Sequence, residues 1–408
     1  MVIKMLDKFE NPFRPGAGHK PPYLAGRRYE QSEFEKLLQQ TVIMDNLVLT
    51  GLRGVGKTVL ADELKPIALR EKWLWAGTDL SESASITEEN LARRIITDLS
   101  VVTSGIIISE IDNSVGFTGN DKAFVTLGYN FLCNIYDQTP GLTEDKLKAV
   151  FQYVAPYVKK IGAKGIIFSY DEAQNLTDHS DKDQFPLSIL LDVFQSIQKQ
   201  GIPFMLVLVG LPTLFPKLVE SRTYTERMFR VLVLDKLSKE DSIEAIEKPV
   251  TDSRCPLKFT PASVERIYEQ SSGYPYFIQF ICREVYDSLL QRIGDNKDNL
   301  SIPIEEITRK LDTDFFAGRW ARVTDRQQDL LHVIASLDHP DQEFTIQEIV
   351  LKSKEISNRP FSNSHVNQML NSLISAGLIY RDRHGKYLFA VPMMGQFILR
   401  TKNYQFQI

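Results

Sequence analysis

The chain has 408 residues, 43% of them hydrophobic, and its 48 Lys and Arg against 52 Asp and Glu leave a formal net charge of −4. Such a length predicts two to three domains with a sizeable core, and the balance of charge excludes a polycation, so any DNA contact must come from a local patch. Cys133, Cys255 and Cys282 lie far apart without C-x-x-C spacing, and no apolar run, Ile202 to Leu211 included, is long enough for a bilayer; the expectation is therefore a cytoplasmic protein with no disulfide framework, zinc site or membrane span.

Residues 1–22 carry Asn11-Pro12-Phe13-Arg14-Pro15-Gly16 and Pro21-Pro22, which predicts an extended arm, because proline disfavours helix at the residue before it. A helix follows from Glu30 to Gln40, and Leu47-Val48-Leu49-Thr50 is a short apolar strand. Gly51-Leu52-Arg53-Gly54-Val55-Gly56-Lys57-Thr58 then fits G-x-x-x-x-G-K-[ST] in full, and a helix starts at Val59. This is the strand-loop-helix setting that a phosphate loop requires. The glycines turn the backbone with no Cβ in the way, so successive N–H groups and the helix N-terminus point at a β-phosphate. Lys57 adds positive charge for the β- and γ-oxygens, and Thr58 offers its hydroxyl to Mg²⁺. Residues Gly51 to Val59 thus predict binding of ATP or ADP.

Trp73-Leu74-Trp75-Ala76 is the next strand. Residues 101–140 hold two apolar stretches, Ile106-Ile107-Ile108 and Phe124-Val125-Thr126-Leu127, around a Gly/Asn turn; they predict strands in an insertion without an assigned role, and the plainer alternative, which weighs more, is an extension of the sheet edge. Strands at 165–170, 204–209 and 231–234 alternate with helices, so the expected fold is α/β with a doubly wound sheet. Asp171-Glu172 closes the apolar run Gly165 to Tyr170, at the strand end where ligands bind in open α/β sheets. Asp171 is placed to hold Mg²⁺ through water. Glu172 is placed to orient or deprotonate the attacking water, which implies hydrolysis rather than binding alone. The plainer alternative is an acidic helix cap.

From Ser238 to about Phe316 the pattern is all-helical, with Phe277, Ile278, Ile281, Cys282, Val285 and Leu289 at helical spacing, which predicts a helical lid. Further on, Thr324-x-x-Gln327 and Thr345-x-x-Glu348 are capping boxes that open two helices. A third helix follows Ser362, buries Val366, Met369, Leu370, Leu373 and Ile374, and stops at Gly377. Leu378-Ile379-Tyr380 and Tyr387-Leu388-Phe389 flank Arg381 to Lys386, a hairpin with a basic tip. Three helices and such a hairpin make a winged helix-turn-helix. Bound to DNA, its third helix would place Asn363, His365, Asn367 and Gln368 in the major groove, while Arg381, Arg383 and Lys386 would meet phosphates. The helix itself carries no Lys or Arg, so a protein-docking or autoinhibitory role stays open.

Leu24-Ala25-Gly26-Arg27-Arg28-Tyr29-Glu30, the phosphate loop, Asp171-Glu172-Ala173-Gln174 and Gly273-Tyr274-Pro275 together resemble the AAA+/STAND group of P-loop ATPases, in particular bacterial ATP-binding proteins related to the origin-recognition clade. The likeness spans nearly the whole chain. It implies that the segment Tyr23 to Arg28, with Arg27, borders the adenine, and that Pro275 approaches the nucleotide from the lid. It further implies that Arg227 or Arg230, in the arginine-rich stretch before the last strand, reaches the γ-phosphate on a neighbouring subunit of an ATP-bound oligomer. Against the family pattern, Gly210-Leu211-Pro212-Thr213 offers only Thr213 where a polar sensor is usual. No arginine stands at Gly273-Tyr274-Pro275, where the replication initiators carry one.

The expected organisation is an arm over 1–22, a P-loop ATPase core over 23–235 with an insertion at 101–140, a helical lid over 236–318 and a winged helix over 319–408. The expected function is that of an ATP-hydrolysing switch or motor whose nucleotide state controls the winged helix. Its expected partners are double-stranded DNA and further copies of the chain, with a signalling ATPase acting through a protein partner as the alternative.

Overall fold

Three strands form the centre of the molecule because their side chains are apolar on both faces: β1 (Asn46–Gly51), β5 (Gly165–Tyr170) and β6 (Phe204–Gly210) are buried along their whole length, as strands covered by helices on both sides must be. In this computed structural model, which describes residues 10–16, 18–112, 122–253, 257–294, 302–339, 342–383 and 385–405, β2 (Trp73–Ala76) and β7 (Phe229–Leu234) flank them in the order β2-β5-β6-β1-β7. The pairs β2–β5, β5–β6 and β6–β1 are parallel. Compactness divides the chain into two units, one of Arg27–Gly51 and Leu60–Val233, the other of Met1–Gly26, Leu52–Val59 and Leu234–Ile408.

The first unit holds the sheet and the helices α1 (Arg28–Leu37), α2 (Lys57–Arg70) from Leu60 onward, α3 (Glu88–Thr103), α4 (Tyr129–Gln138), α5 (Thr143–Lys160), α6 (Pro186–Lys199) and α7 (Leu214–Ser221). Thr87 caps α3 by accepting from the Asn90 N–H at 3.1 Å. Phe151, Phe168, Phe194 and Phe204 pack edge-on between α5, α6 and the sheet at centroid distances of 5.3–5.9 Å. Asn46 is one of several polar residues buried in this core. Its amide bridges Gln198 and the Leu206 N–H, so the buried group is satisfied rather than stranded.

The insertion departs from expectation. β3 (Ile107–Asp112) and β4 (Lys122–Thr126) pair with each other antiparallel and form a separate two-stranded sheet, not an edge of the main one. The cause is local: α3 runs on to Thr103, whose hydroxyl donates to the Leu127 carbonyl at 2.7 Å, so the hairpin is anchored on the helix end. Ile106, Leu127 and Leu132 are buried with the helices. Residues 101–103 and 129–138 thus belong to the helical layer, and only the hairpin between them is inserted. Its turn lies outside the described residues, as does Cys255.

In the second unit, α8 (Lys239–Asp252), α9 (Pro261–Ser271), α10 (Pro275–Gly294) and α11 (Ile304–Leu311) form the helical bundle. The N-terminal arm is extended, and it is pinned to this bundle. Phe13 is 2% exposed and stacks on Phe259, and the Asn11 side chain donates to the Arg283 carbonyl at 2.9 Å and to Asp287 at 2.8 Å. A π-helical turn, Asp312–Ala317, and the short helical turn Gly318–Trp320 lead to α12 (Asp325–Ala335), α13 (Ile346–Ile356) and α14 (Asn363–Ser375). Both capping boxes form. β8 (Ile379–Arg383) and β9 (Lys386–Phe389) make the wing, and Phe344 and Tyr387 exchange two backbone bonds of 2.9 Å as an isolated antiparallel bridge beside it. Arg381, Arg383 and Lys386 sit within the paired strands, so the tip proper is shorter than expected. A last helix, α15 (Met394–Gln405), was not anticipated. Phe397 stacks on Phe316 at 5.0 Å, and Arg400 pairs with Asp312.

Candidate functional site

Parallel pairing brings the ends of β1 and β5 to one edge of the sheet, with β6 between them: Thr50 lies beside Gly210, and Tyr170 beside Leu208. Asp171 follows β5 there. Its backbone is fixed by bonds to Thr78 and Leu80 at 3.3 and 2.9 Å, and its carboxylate accepts from the Glu172 N–H at 2.7 Å. Glu172 is exposed and adopts φ 52°, ψ 32°, a left-handed conformation that a non-glycine residue takes only where its surroundings impose it.

Those surroundings are supplied by Gln174. Its side-chain amide donates to the Glu172 carboxylate, its side-chain oxygen accepts from the Leu211 N–H at 3.1 Å, and its carbonyl accepts from Lys217 Nζ at 2.8 Å. A Cβ at Gly210 would stand 2.6 Å from the Gln174 side-chain oxygen, so a larger residue at the end of β6 would displace that side chain from its bond to Leu211. Burial lowers the Lys217 pKa. Thr213 caps α7 in αR geometry with no side-chain cap bond. On α2, Asp62 has its carboxyl pKa raised, first by burial and then by the charge of Asp171, with Asp79 adding to it. Crowded carboxylates of this kind suit a cation. Among the described residues no group of three or more His, Cys, Asp or Glu is placed to hold a metal ion.

The phosphate loop can be described within the second unit. Gly54 and Gly56 have φ of 79° and 91°, values that favour glycine. Val55 is buried, and Lys57 Nζ donates to the Leu52 carbonyl at 2.9 Å. The Gly54 carbonyl accepts from the Tyr276 N–H at 3.1 Å, one residue beyond Pro275. Gly273 accepts from the Leu237 N–H at 2.8 Å and has φ 76°, with the Leu237 carbonyl only 2.7 Å from where a Cβ would be. Tyr23 donates to Glu244 at 2.7 Å and lies under Lys248. Arg27, in the other unit, is 7% exposed and ion-paired with Glu30 at 3.2 Å.

The three arginines of the stretch 222–230 differ. Arg222 grips Asp192, which Tyr224 also contacts, and Arg230 is ion-paired with Glu33 and belongs to β7 itself. Arg227 is exposed. In the C-terminal module Asn363, His365, Asn367 and Gln368 are exposed while Val366, Met369 and Leu370 are buried. Arg381 lies over the Tyr387 ring at 5.6 Å, and the Arg383 side chain lies outside the described residues. Gln174, Lys217, Asp62 and Tyr276 carry no spacing signal that names them; Gln174 alone was visible, as part of Asp171-Glu172-Ala173-Gln174.

A family model described as a domain of unknown function, DUF8462, matches residues 313–398. No curated protein matches the chain. Among solved structures, the ORC2 protein of Aeropyrum pernix in its ADP form is similar with a TM-score of 0.55 at 15% identity, covering 95% of this chain and 96% of that one. The same protein with ADPNP and ADP gives 0.52 at 14%, covering 97% and 98%. The resemblance to the origin-recognition clade therefore holds at the level of fold: a parallel α/β sheet with helices, followed by a C-terminal winged helix. Among the described residues no helix is long and apolar enough to cross a membrane.

Proposed function

We propose that the chain is an ATP-binding and ATP-hydrolysing switch. The observation that carries this reading is the complete G-x-x-x-x-G-K-T loop leaving a fully buried parallel strand, with Asp171-Glu172 closing another strand at the same sheet edge. In the proposed mechanism the loop amides and Lys57 hold the phosphates, and Thr58 and Asp171 hold Mg²⁺. Glu172, fixed by Gln174, orients the attacking water and takes its proton. The fold likeness to a protein crystallised with ADP and ADPNP supports the nucleotide. Equilibrium titration with a fluorescent ADP tests it: micromolar or tighter Mg²⁺-dependent binding is expected, and no binding by the wild-type chain would reject it.

The C-terminal module is proposed to bind double-stranded DNA. Residues 319–408 hold eleven Lys and Arg against eight Asp and Glu, a local excess of positive charge in an acidic chain, and the polar face of α14 is exposed. Arg227 is the better candidate for a contact in trans within an ATP-bound oligomer, since Arg230 is engaged by Glu33. A cytoplasmic setting suits both. Salt-sensitive gel shifts of duplex DNA test the module: no shift at low salt with any nucleotide would favour a signalling role through protein contact instead.

A further inference from the structure

Lys217, on α7, is partly buried, yet the bond its Nζ makes is to a neutral acceptor, the Gln174 carbonyl at 2.8 Å. Asp178 and Glu220 reach it only through their charge. Asp178 is taken up elsewhere: its oxygens accept from the Ser188 N–H at 3.0 Å, the Ser188 hydroxyl at 2.5 Å and the Ser221 hydroxyl at 3.2 Å. An ammonium drawn out of water toward a carbonyl rather than a carboxylate adds little to stability, so the contact is to be judged by what it holds. It holds a junction. Ala173–Asn175 is a single 3₁₀ turn in which the Glu172 and Ala173 carbonyls accept from the Asn175 and Leu176 N–H groups at 2.9 and 3.1 Å, while the Gln174 carbonyl goes to Lys217. The Gln174 side chain in turn bonds the Glu172 carboxylate and the Leu211 N–H. Three elements therefore meet on one residue: the turn after β5, the end of β6, and α7. A turn this short has no helical length of its own to fix its orientation.

We propose that Lys217 is a positioning residue for hydrolysis: by fixing the Gln174 backbone from α7, it aims the Gln174 amide at Glu172. This rests on the hydrolytic reading above and deepens it. Gly210-Leu211-Pro212-Thr213 offers no polar side chain but that of Thr213, which makes no cap bond. The segment after β6 is instead tied to Glu172 by the Leu211 N–H and by Lys217, both through Gln174. The competing role is a plain cap on the 3₁₀ turn, a cation satisfying a carbonyl at its end. A cap would support the fold whatever side chain stood at position 174, whereas a positioning residue needs the glutamine amide to pass its effect on.

The test is a double-mutant cycle in the full chain, read as kcat and KM for phosphate release, with fluorescent ADP binding and thermal melting alongside. Lys217→Met keeps the stem and removes the donor; it is expected to lower kcat by roughly 5- to 10-fold, as for one lost hydrogen bond, with KM and ADP binding within about 3-fold. Lys217→Arg should restore part of the rate. The deciding variant is Lys217→Met combined with Gln174→Ala, where the route to Glu172 is already cut, so a further change within about 2-fold is expected. A loss of the same size in both backgrounds, or no loss in the wild-type background, overturns the positioning role and leaves the hydrolytic reading intact. Should Lys217→Met fail to fold, Lys217→Arg carries the cycle, and its smaller loss of kcat should disappear in the Gln174→Ala background. Absence of nucleotide binding and turnover in the wild-type chain would overturn both.

Discussion

The sheet edge at Asp171-Glu172 and the exposed face of α14 both display polar side chains, yet they do so in opposite ways. At the sheet edge almost every polar group has its partner: Asp171 holds the Glu172 N–H, Gln174 holds Glu172 and Leu211, and Lys217 holds Gln174. On α14, Asn363, His365, Asn367 and Gln368 stand in solvent over a buried row of Val366, Met369 and Leu370. Chemistry on a phosphate needs its groups fixed before the substrate arrives, whereas a recognition face can settle its side chains on the partner. The contrast predicts that substitutions at the first site act on turnover steeply, and those at the second act on affinity and in small steps.

The strongest way to break this contrast is at the sheet edge. Glu172→Gln is expected to keep nucleotide binding and to lower turnover by roughly 10²-fold or more, measured as phosphate release; a wild-type rate would remove Glu172 from the mechanism. Lys57→Ala should instead weaken binding itself, read by the same fluorescent titration. A subtler test is Gln174→Ala, which releases Glu172 without touching it. Turnover should fall about 10-fold with KM within about 2-fold, the pattern of a group that acts only on the transition state. Equal changes in both parameters would mean that Gln174 merely supports the fold.

For the C-terminal module, the triple change Arg381→Ala, Arg383→Ala and Lys386→Ala should weaken duplex binding for all sequences and reduce the salt slope by about 0.9 per phosphate contact removed. Asn367→Ala or Gln368→Ala should shift base preference by about 1–3 kcal/mol at one position while leaving the salt slope unchanged. If either change alters nucleotide turnover more than duplex affinity, the division between the two regions fails. The smallest effect concerns Asp192. Burial opposes its ionisation, but bonds from Arg222 and Tyr224 outweigh this and hold its pKa below the ordinary carboxylate value. The stability it contributes is present above that ordinary value and is lost as pH falls through the depressed one. Asp192→Asn should therefore lower the melting temperature slightly at neutral pH, with the difference from wild type vanishing in acid.

The same contrast explains what could be read from the chain alone. The G-x-x-x-x-G-K-T loop and Asp171-Glu172 were legible as motifs because residue type and spacing occur together at strand ends, and the buried strands because continuous apolar runs leave few alternatives. The hairpin of β3 and β4 was legible as strands but not as a separate sheet, since nothing in Ile106-Ile107-Ile108 names a pairing partner; the bond from Thr103 to Leu127 that anchors it is a long-range event. Gln174 was seen as one letter of a motif, and its clamp on Leu211 depends on β6 arriving beside it. Lys217 had no spacing signal at all. Its bond to Gln174 joins residues 43 positions apart in the chain.

The π-helical turn at Asp312–Ala317 has a consequence of a different kind. Such a turn is an α-helix with one residue too many, and each residue of an α-helix advances the chain by roughly 100° about the axis. Deleting a single residue there would restore regular winding and swing Arg319 off the Phe315 ring, along with the approach to α12. Angular phase, rather than any side chain, then sets the direction in which the following segment leaves the turn. The number of residues in this turn fixes the approach to α12 as firmly as the packing of Phe316 on Phe397 does.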